Sequence, residues 1–365
     1  MYWNYTQPVD IIFGNGKISE LKNLLSAYKN PLLVGDPFFK TNGLIDKIKN
    51  ITEIKYVFTN VSPNPDVTEV DRCSRLIREN NIDVLVALGG GSALDLAKAS
   101  SIAAESIEPY HNGEKTVSDG HLPLIAVPTT AGTGSEVTCV SVLTNRQTGR
   151  KAPIVSESFY PKAALIDPEL LCSLPPAVTA STGIDVLCHA VEGYWSKGHQ
   201  PICDALAIHS IKLVFEYLPI AYKEPENKIA REKMAEASVV AGLAFTLPKT
   251  TSSHACSFPL TSLYHIPHGE ACGLTLDYFA RVNSYDEHTR QLIKELGYDS
   301  ADSFADDIFK LKKSIGLRLG ISDLKLNDDD ISQLVKLSHH PNMNNNPVEI
   351  TDEILTGMYR QLRNL

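Results

Sequence analysis

Apolar and polar positions fall into two regimes along the chain. Up to residue 130, short apolar runs alternate with segments of helical periodicity. PLLVGD (31–36), KYVFTN (55–60), DVLVALGG (83–90) and LPLIAVPTT (122–130) are bounded by turn-forming residues, which predicts strands. TEVDRCSRLIREN (68–80) and SALDLAKASSIAAES (92–106) repeat their apolar positions at helical spacing. Apolar strands alternating with helices predict a parallel sheet covered on both faces. VLTNRQTGRKAPIVS (142–156) breaks the alternation, because two extended runs flank the turn-rich NRQTG, and it predicts a hairpin. ALIDPELLCSLPP (164–176) closes this half.

Beyond Pro175-Pro176 the strand signals nearly vanish. Helical periodicity dominates 177–195, 201–218, 226–245 and 270–283 and several segments towards the C-terminus. The chain has 365 residues, more than one core usually holds. The expected organisation is an α/β Rossmann-like parallel-sheet domain over 1–175 and an all-α domain over 176–365.

Composition narrows the partners. A formal net charge of −9 opposes binding to a phosphate backbone, which argues against a nucleic-acid role. No basic segment followed by an apolar stretch opens the chain, and no uninterrupted apolar run reaches membrane-spanning length. The expectation is a cytoplasmic protein with no membrane partner. The seven cysteines form no CxxC pair and read as buried thiols.

Two glycine-rich stretches follow predicted strands. Gly89-Gly90-Gly91-Ser92 opens a helix, where bare backbone N–H groups and the helix dipole can hold a pyrophosphate. The spacing is not GxGxxG, and a tight strand–helix turn capped by Ser92 is the plain alternative. Pro128-Thr129-Thr130-Ala131-Gly132-Thr133-Gly134 is dense in hydroxyls and also ends a strand. Asp36 ends LLVGD; a carboxylate there accepts from a ribose diol and repels a 2′-phosphate, favouring NAD(H) over NADP(H).

Asp185 and His189 are four residues apart on one helix face, and SSHACSFPLTSLYHIPHGEACG adds His254 and His268. One carboxylate and three imidazoles suit a divalent ion such as Fe²⁺, Zn²⁺ or Ni²⁺. Pro259 and Pro267 argue against one helix between the last two, so PLTSLYHIP is expected as a loop. His111, His121, His199, His209, His288, His339 and His340 read as structural or surface residues. A metal site together with a dinucleotide site suggests hydride transfer to a metal-bound carbonyl.

GGGSALDLAK, PTTAGTGSEVT, ALIDPELLCSLPP, STGIDVLCHAVEGY and IPHGEAC occur in that order, and the chain resembles the iron-containing (group III) alcohol dehydrogenases over nearly its full length. The resemblance implies an α/β dinucleotide domain and a helical domain with the active site in the cleft, Fe²⁺ as the habitual metal, and a small aldehyde or primary alcohol as substrate. It implies metal ligation by Asp185, His189, His254 and His268, and cofactor contacts from Asp36, Asn64, Gly90, Gly91, Ser92, Thr129, Thr130, Thr133, Thr138 and Lys151. Many members carry a second histidine four residues after the third ligand. Phe258 stands there and offers an apolar pocket wall, which leaves the proton path to a metal-bound water, the ribose hydroxyls or His265.

HACSFPLTSLYHIPHGEAC resembles the branch that reduces phosphonoacetaldehyde to 2-hydroxyethylphosphonate. A phosphonate needs cationic or N–H partners, and Arg146, Arg150, Lys249 and His265 are candidates. The alternatives are a lactaldehyde/propanediol-type dehydrogenase and a lyase of the dehydroquinate-synthase type; Asp185 counts against the second. A homodimer is the default assembly.

Overall fold

The structure is a computed structural model and describes residues 3–118 and 120–365. The chain forms two compact units. One spans Thr6–Thr130 and Gly134–Leu171; the other comprises Cys172–Leu365, Ala131–Thr133 and an N-terminal stretch ending at Tyr5.

Among the described residues the first unit holds eight strands: β1 (Asp10–Phe13), β2 (Pro31–Gly35), β3 (Tyr56–Phe58), β4 (Val84–Gly89), β5 (Leu124–Pro128), β6 (Val140–Asn145), β7 (Arg150–Val155) and β8 (Ala163–Ile166). Six form a sheet in the order β1-β8-β5-β4-β2-β3, every pair parallel. β6 and β7 make the predicted antiparallel hairpin. Residues of β2, β4 and β5 such as Leu32, Val34, Leu85, Ala87 and Ala126 are fully buried, as a sheet covered on both faces requires.

The strand order reverses between β2 and β4: β3 lies outside β2, whereas β5 lies outside β4. Such a reversal opens a crevice at the strands' carboxyl ends, where α/β proteins hold ligands. Asp36 follows β2 and Gly90 follows β4, so the two sequence-predicted cofactor positions flank this reversal.

Helices of eight residues or more are numbered here. In the first unit they are α1 (Leu44–Ile51), α2 (Val67–Glu79) and α3 (Gly91–Ser100). Asp66 and Glu69 cap α2 reciprocally, each side chain accepting the other's N–H. α3 ends at Ser100, six residues before the predicted end. Ser101 turns its hydroxyl onto the Lys98 carbonyl, and Ala103 adopts φ 52°. β1 and β8 carry no prediction: each has four residues, and they pair with one another across most of the unit's sequence.

The second unit is helical: α4 (Pro176–Trp195), α5 (Pro201–Lys223), α6 (Lys228–Phe245), α7 (Ser252–Tyr264), α8 (His268–Asn283), α9 (Glu287–Glu295), α10 (Ala301–Ser314), α11 (Asp328–Leu337) and α12 (Asp352–Asn364). Two prolines correct the sequence reading. PLTSLYHIP is not a loop: α7 runs through buried Pro259 to Tyr264, and only 265–267 break the chain. α5 likewise passes Pro219. A proline removes one N–H, and tertiary packing can hold the turn around it.

α5 also revises the membrane reading. Its 23 residues, which include an 18-residue window of mean hydropathy 1.2, are long and apolar enough to cross a bilayer. It packs against α4 and α6, with Cys203, Ala207, Ile211, Val214 and Leu218 fully buried, as a core helix does.

Candidate metal and cofactor sites

Residues from α4, α7 and α8 build one cluster. α4 carries Asp185 and His189 one turn apart; α7 begins two residues before His254; α8 begins at His268. Glycines allow the close approach. A Cβ on Gly269 would lie 2.0 Å from the Ser181 carbonyl oxygen, and one on Gly273 2.6 Å from Ile184. α8 therefore lies directly on α4, with His268 beside Asp185.

His254 is the hub. Its Nε2 is 3.1 Å from His189 Nε2 and 3.5 Å from Asp185 Oδ1. Its ring centroid is 4.6 Å from that of His189 and 5.4 Å from that of His268. The donor atoms of Asp185, His254, His268 and Cys272 all lie within 4.8 Å of one another. All four sequence-predicted ligands are thus brought together, joined by Cys272, which the sequence reading left as a structural thiol. Burial pushes the Cys272 thiol well above its ordinary pKa, and the Asp185 carboxylate adds to the effect.

The outer ring nitrogens fix the protonation pattern. His189 Nδ1 is 3.2 Å from the Gly132 carbonyl, which can only accept, so Nδ1 carries the proton. His254 Nδ1 donates to the Glu192 carboxylate. The neutral rings therefore turn two bare Nε2 lone pairs towards each other and towards a carboxylate. A proton or a cation between them is the only way to make this arrangement favourable.

Burial holds His189 well below its ordinary pKa, with the neighbouring His254 and His268 contributing. At His254 burial acts in the same direction, but Glu192 and Asp185 outweigh it and the pKa is raised. A divalent ion fits the donor set of one carboxylate and neutral imidazoles.

Glu192 is the functional residue that sequence reasoning missed. It is fully buried and accepts from Thr251 Oγ1 (2.8 Å), Ser253 N (2.7 Å) and His254 N (3.3 Å) besides the His254 ring. Trp195 Nε1 donates to Thr251 Oγ1 at 2.8 Å, extending the support. Such outer partners orient a ligating imidazole and raise its basicity. The available signal was its spacing: Asp185, His189 and Glu192 lie on one face of α4. Phe245 stacks on His189 with centroids 4.2 Å apart. Phe258 is half-buried, 6.2 Å from the His268 ring, and His265 is an exposed left-handed residue ending α7.

The cofactor candidates gather in the first unit. Gly89 has φ 154°, and a Cβ there would meet Ala93 at 2.7 Å; a Cβ on Gly90 would meet Thr130 Oγ1 at 3.1 Å. The turn is thus bare backbone at the start of α3, with Thr129 N donating to Gly89 O at 3.0 Å. Asn64 N donates to Ser92 Oγ (3.3 Å), and Lys151 Nζ to Asn64 Oδ1 (2.8 Å). Thr138 lies at the buried Lys98, whose Nζ donates to Ser135 Oγ (2.8 Å), Thr138 Oγ1 (3.3 Å) and Val140 O (2.9 Å). Asp36 Oδ1 accepts from Phe38 N at 2.8 Å, a local turn contact. Thr133 belongs to the segment that packs with the helical unit.

The sequence profile of "Iron-containing alcohol dehydrogenase" matches residues 8–168, and that of the "Fe-containing alcohol dehydrogenase family, C-terminal" matches 179–362. The chain belongs to the iron-containing alcohol dehydrogenases. It is an NAD(P)-dependent alcohol dehydrogenase, and its parallel-sheet and helical parts match the solved members of the family. It is 33% identical to the NAD-dependent methanol dehydrogenase of Bacillus methanolicus over 352 residues, 91% of this chain and 92% of that one. It is 34% identical to the 1,3-propanediol dehydrogenase of Citrobacter freundii over 383 residues, 98% of each chain. Among solved structures, the sulfoacetaldehyde reductase of Bifidobacterium kashiwanohense in complex with NAD+ is 56% identical. The TM-score is 0.97, over 100% of this chain and 99% of that one.

Proposed function

We propose that this alcohol dehydrogenase reduces a two-carbon aldehyde ending in a tetrahedral oxoanion, sulfoacetaldehyde or phosphonoacetaldehyde, with NADH and Fe²⁺. The observation that carries the reading is the 56% identity, over the full chain, to a sulfoacetaldehyde reductase. Phe258 supports it, since an aromatic wall replaces the histidine common in the wider family. Family membership favours net redox chemistry over a lyase reaction.

The roles follow from chemistry. Asp185, His189, His254 and His268 hold the ion, while Glu192 and the Gly132 carbonyl accept from Nδ1 of His254 and His189 and leave Nε2 as the ligating nitrogen of those two rings. The ion supplies Lewis acidity and the nicotinamide supplies the hydride. The Gly89–Ser92 turn binds the pyrophosphate, with Asn64, Lys151 and the Thr129-Thr130 hydroxyls beside it. The free side of the Asp36 carboxylate accepts from the adenosine ribose and repels a 2′-phosphate, which favours NADH. Phe258 and Phe245 exclude water near the histidines. A reducing cytoplasm suits the buried thiols Cys73, Cys139, Cys188, Cys203, Cys256 and Cys272. A homodimer is the proposed assembly.

The test is NADH oxidation at saturating metal with sulfoacetaldehyde, phosphonoacetaldehyde, propanal and lactaldehyde. The expected kcat/KM for the better anionic aldehyde exceeds that for either neutral one by about tenfold or more, the yield of one good charged contact. Preference for propanal or lactaldehyde would refute the anionic substrate and leave the dehydrogenase class standing.

A further inference from the structure

We infer that His340 is the residue that receives the substrate's oxoanion, donating its Nε2–H to a sulfonate or phosphonate oxygen. The inference rests on the anionic-aldehyde reading above. In sequence His340 reads as one of several structural or surface histidines. The structure places it elsewhere: α11 ends at Leu337, and His340 begins the short turn Pro341–Asn345 as a half-buried residue.

Three observations carry the assignment. The first is the tautomer. His340 Nδ1 accepts the Asn342 backbone N–H at 3.3 Å, so the neutral ring keeps its proton on Nε2. Burial holds the ring below its ordinary pKa, so neutral imidazole is the form to consider. Among the described residues that Nε2–H makes no hydrogen bond, and the ring face is covered by Phe258.

The second observation is reach. The His340 ring lies against Phe258, centroids 4.3 Å apart, and Phe258 lies 6.2 Å from the His268 ring. The two histidine rings are therefore separated by roughly 10 Å or less. A two-carbon aldehyde with a terminal sulfonate spans roughly 5 Å from carbonyl oxygen to the far anionic oxygen. A contact of about 3 Å at each end covers the remainder. The methylene then lies over Phe258, a face without hydrogen-bonding atoms, and the anion reaches His340.

The third observation is rigidity. Asn342 Nδ2 donates to Thr250 Oγ1 (2.7 Å) and Asn345 Nδ2 to Thr250 O (3.0 Å). Lys197 donates from its backbone to Asn345 O (2.9 Å) and from Nζ to Asn344 O (3.1 Å). Thr250 stands four residues before His254, so the donor is held to the segment that carries a ligand. A donor fixed in advance loses little entropy on binding an anion.

The experiment compares wild type, His340→Ala and His340→Gln. It reads kcat/KM for sulfoacetaldehyde and propanal, and the dissociation constant of 2-hydroxyethanesulfonate for the dead-end enzyme–NADH complex by nicotinamide fluorescence or calorimetry. Expected is a fall of about 10–100-fold in the sulfoacetaldehyde-to-propanal ratio for His340→Ala, with a parallel loss of 2-hydroxyethanesulfonate affinity. Glutamine, which keeps an N–H donor, recovers part of both. If wild type prefers the anionic aldehyde while both variants keep the wild-type ratio and product affinity, the role of His340 is overturned and the anionic reading stands. If wild type prefers propanal, the anionic reading falls, and this assignment falls with it.

Discussion

Lys98 in the α/β unit and His254 in the helical unit are both buried ionisable groups at the centre of a cluster, and the two clusters are completed in opposite ways. Lys98 is fully buried and directs Nζ at three oxygens, from Ser135, Thr138 and Val140. Its neighbour Asp95 accepts from Ser135 Oγ at 2.7 Å and from Val142 N at 2.9 Å. Donors meet acceptors throughout, and the cluster is closed. Around His254 the atoms that meet are Nε2 against Nε2 and against a carboxylate oxygen. Lone pairs face lone pairs, and the cluster is completed only by a positive charge. Burial alone does not distinguish a lysine closed into the fold from a histidine proposed as a metal ligand. The sign of what each group faces does.

The largest expected effect is on the open cluster. Asp185→Ala or His268→Ala should lose bound metal and reduce turnover by about a thousandfold or more, while far-UV circular dichroism stays native. Metal analysis beside the rate assay checks it; full metal content with normal turnover would remove the cluster from the chemistry. Next comes Lys98→Met, which strands Asp95 in the closed cluster. It should cost about 3–5 kcal/mol in urea unfolding, yet leave metal per folded molecule as in wild type. Metal loss on this substitution would break the contrast drawn above. Glu192→Gln sharpens it from the other side, because the His254 ring keeps a partner but loses the carboxylate. Chelator competition should show metal affinity falling about 10–100-fold.

The smallest effect concerns Glu136, which neighbours Lys98 in the closed cluster. Burial raises its pKa from the ordinary 4.5 to about 7, against some counter-pull from its own backbone N–H and Lys98. The folded protein then holds a proton that the unfolded chain releases. Its contribution is fully present below pH 4.5 and is lost as pH rises to about 7. Glu136→Gln should flatten the stability profile across that window. An unaltered slope in denaturant titrations from pH 5 to 7 would show that Glu136 does not titrate there.

The division into a sheet half and a helical half was legible, since strand alternation stops abruptly at Pro175-Pro176. Strands with strong apolar runs were found, within a residue or two of their ends. β1 and β8 were not, because four-residue strands gain stability only from a partner far along the chain, which local pattern does not report. Pro259 and Pro219 misled for a related reason: helix propensity marked them as breaks, and tertiary packing overrode it. Asp185 and His189 announced themselves by helical spacing. His254 and His268 were candidates by residue type alone and gained weight from the family pattern, because α7 and α8 are joined by a turn whose direction spacing does not fix. Glu192 and His340 stayed hidden. An acid on a helix and a histidine in a polar segment both look solvated until burial and the partner of each ring nitrogen are known.

Gly132 has a consequence for how this protein can be divided. The chain leaves the sheet unit after Thr130, contributes three residues to the helical unit and returns at Gly134. Within those residues Gly132 N receives Ser238 Oγ as its acceptor at 2.8 Å, and Gly132 O holds His189 Nδ1. A fragment cut at the helical unit's main boundary, 172–365, would keep all four histidine and aspartate candidates and yet lack the carbonyl that sets the tautomer of one of them. The proposed metal site is therefore encoded discontinuously, and a gene recombined at the obvious seam would inherit the candidate ligands without the carbonyl that orients one of them.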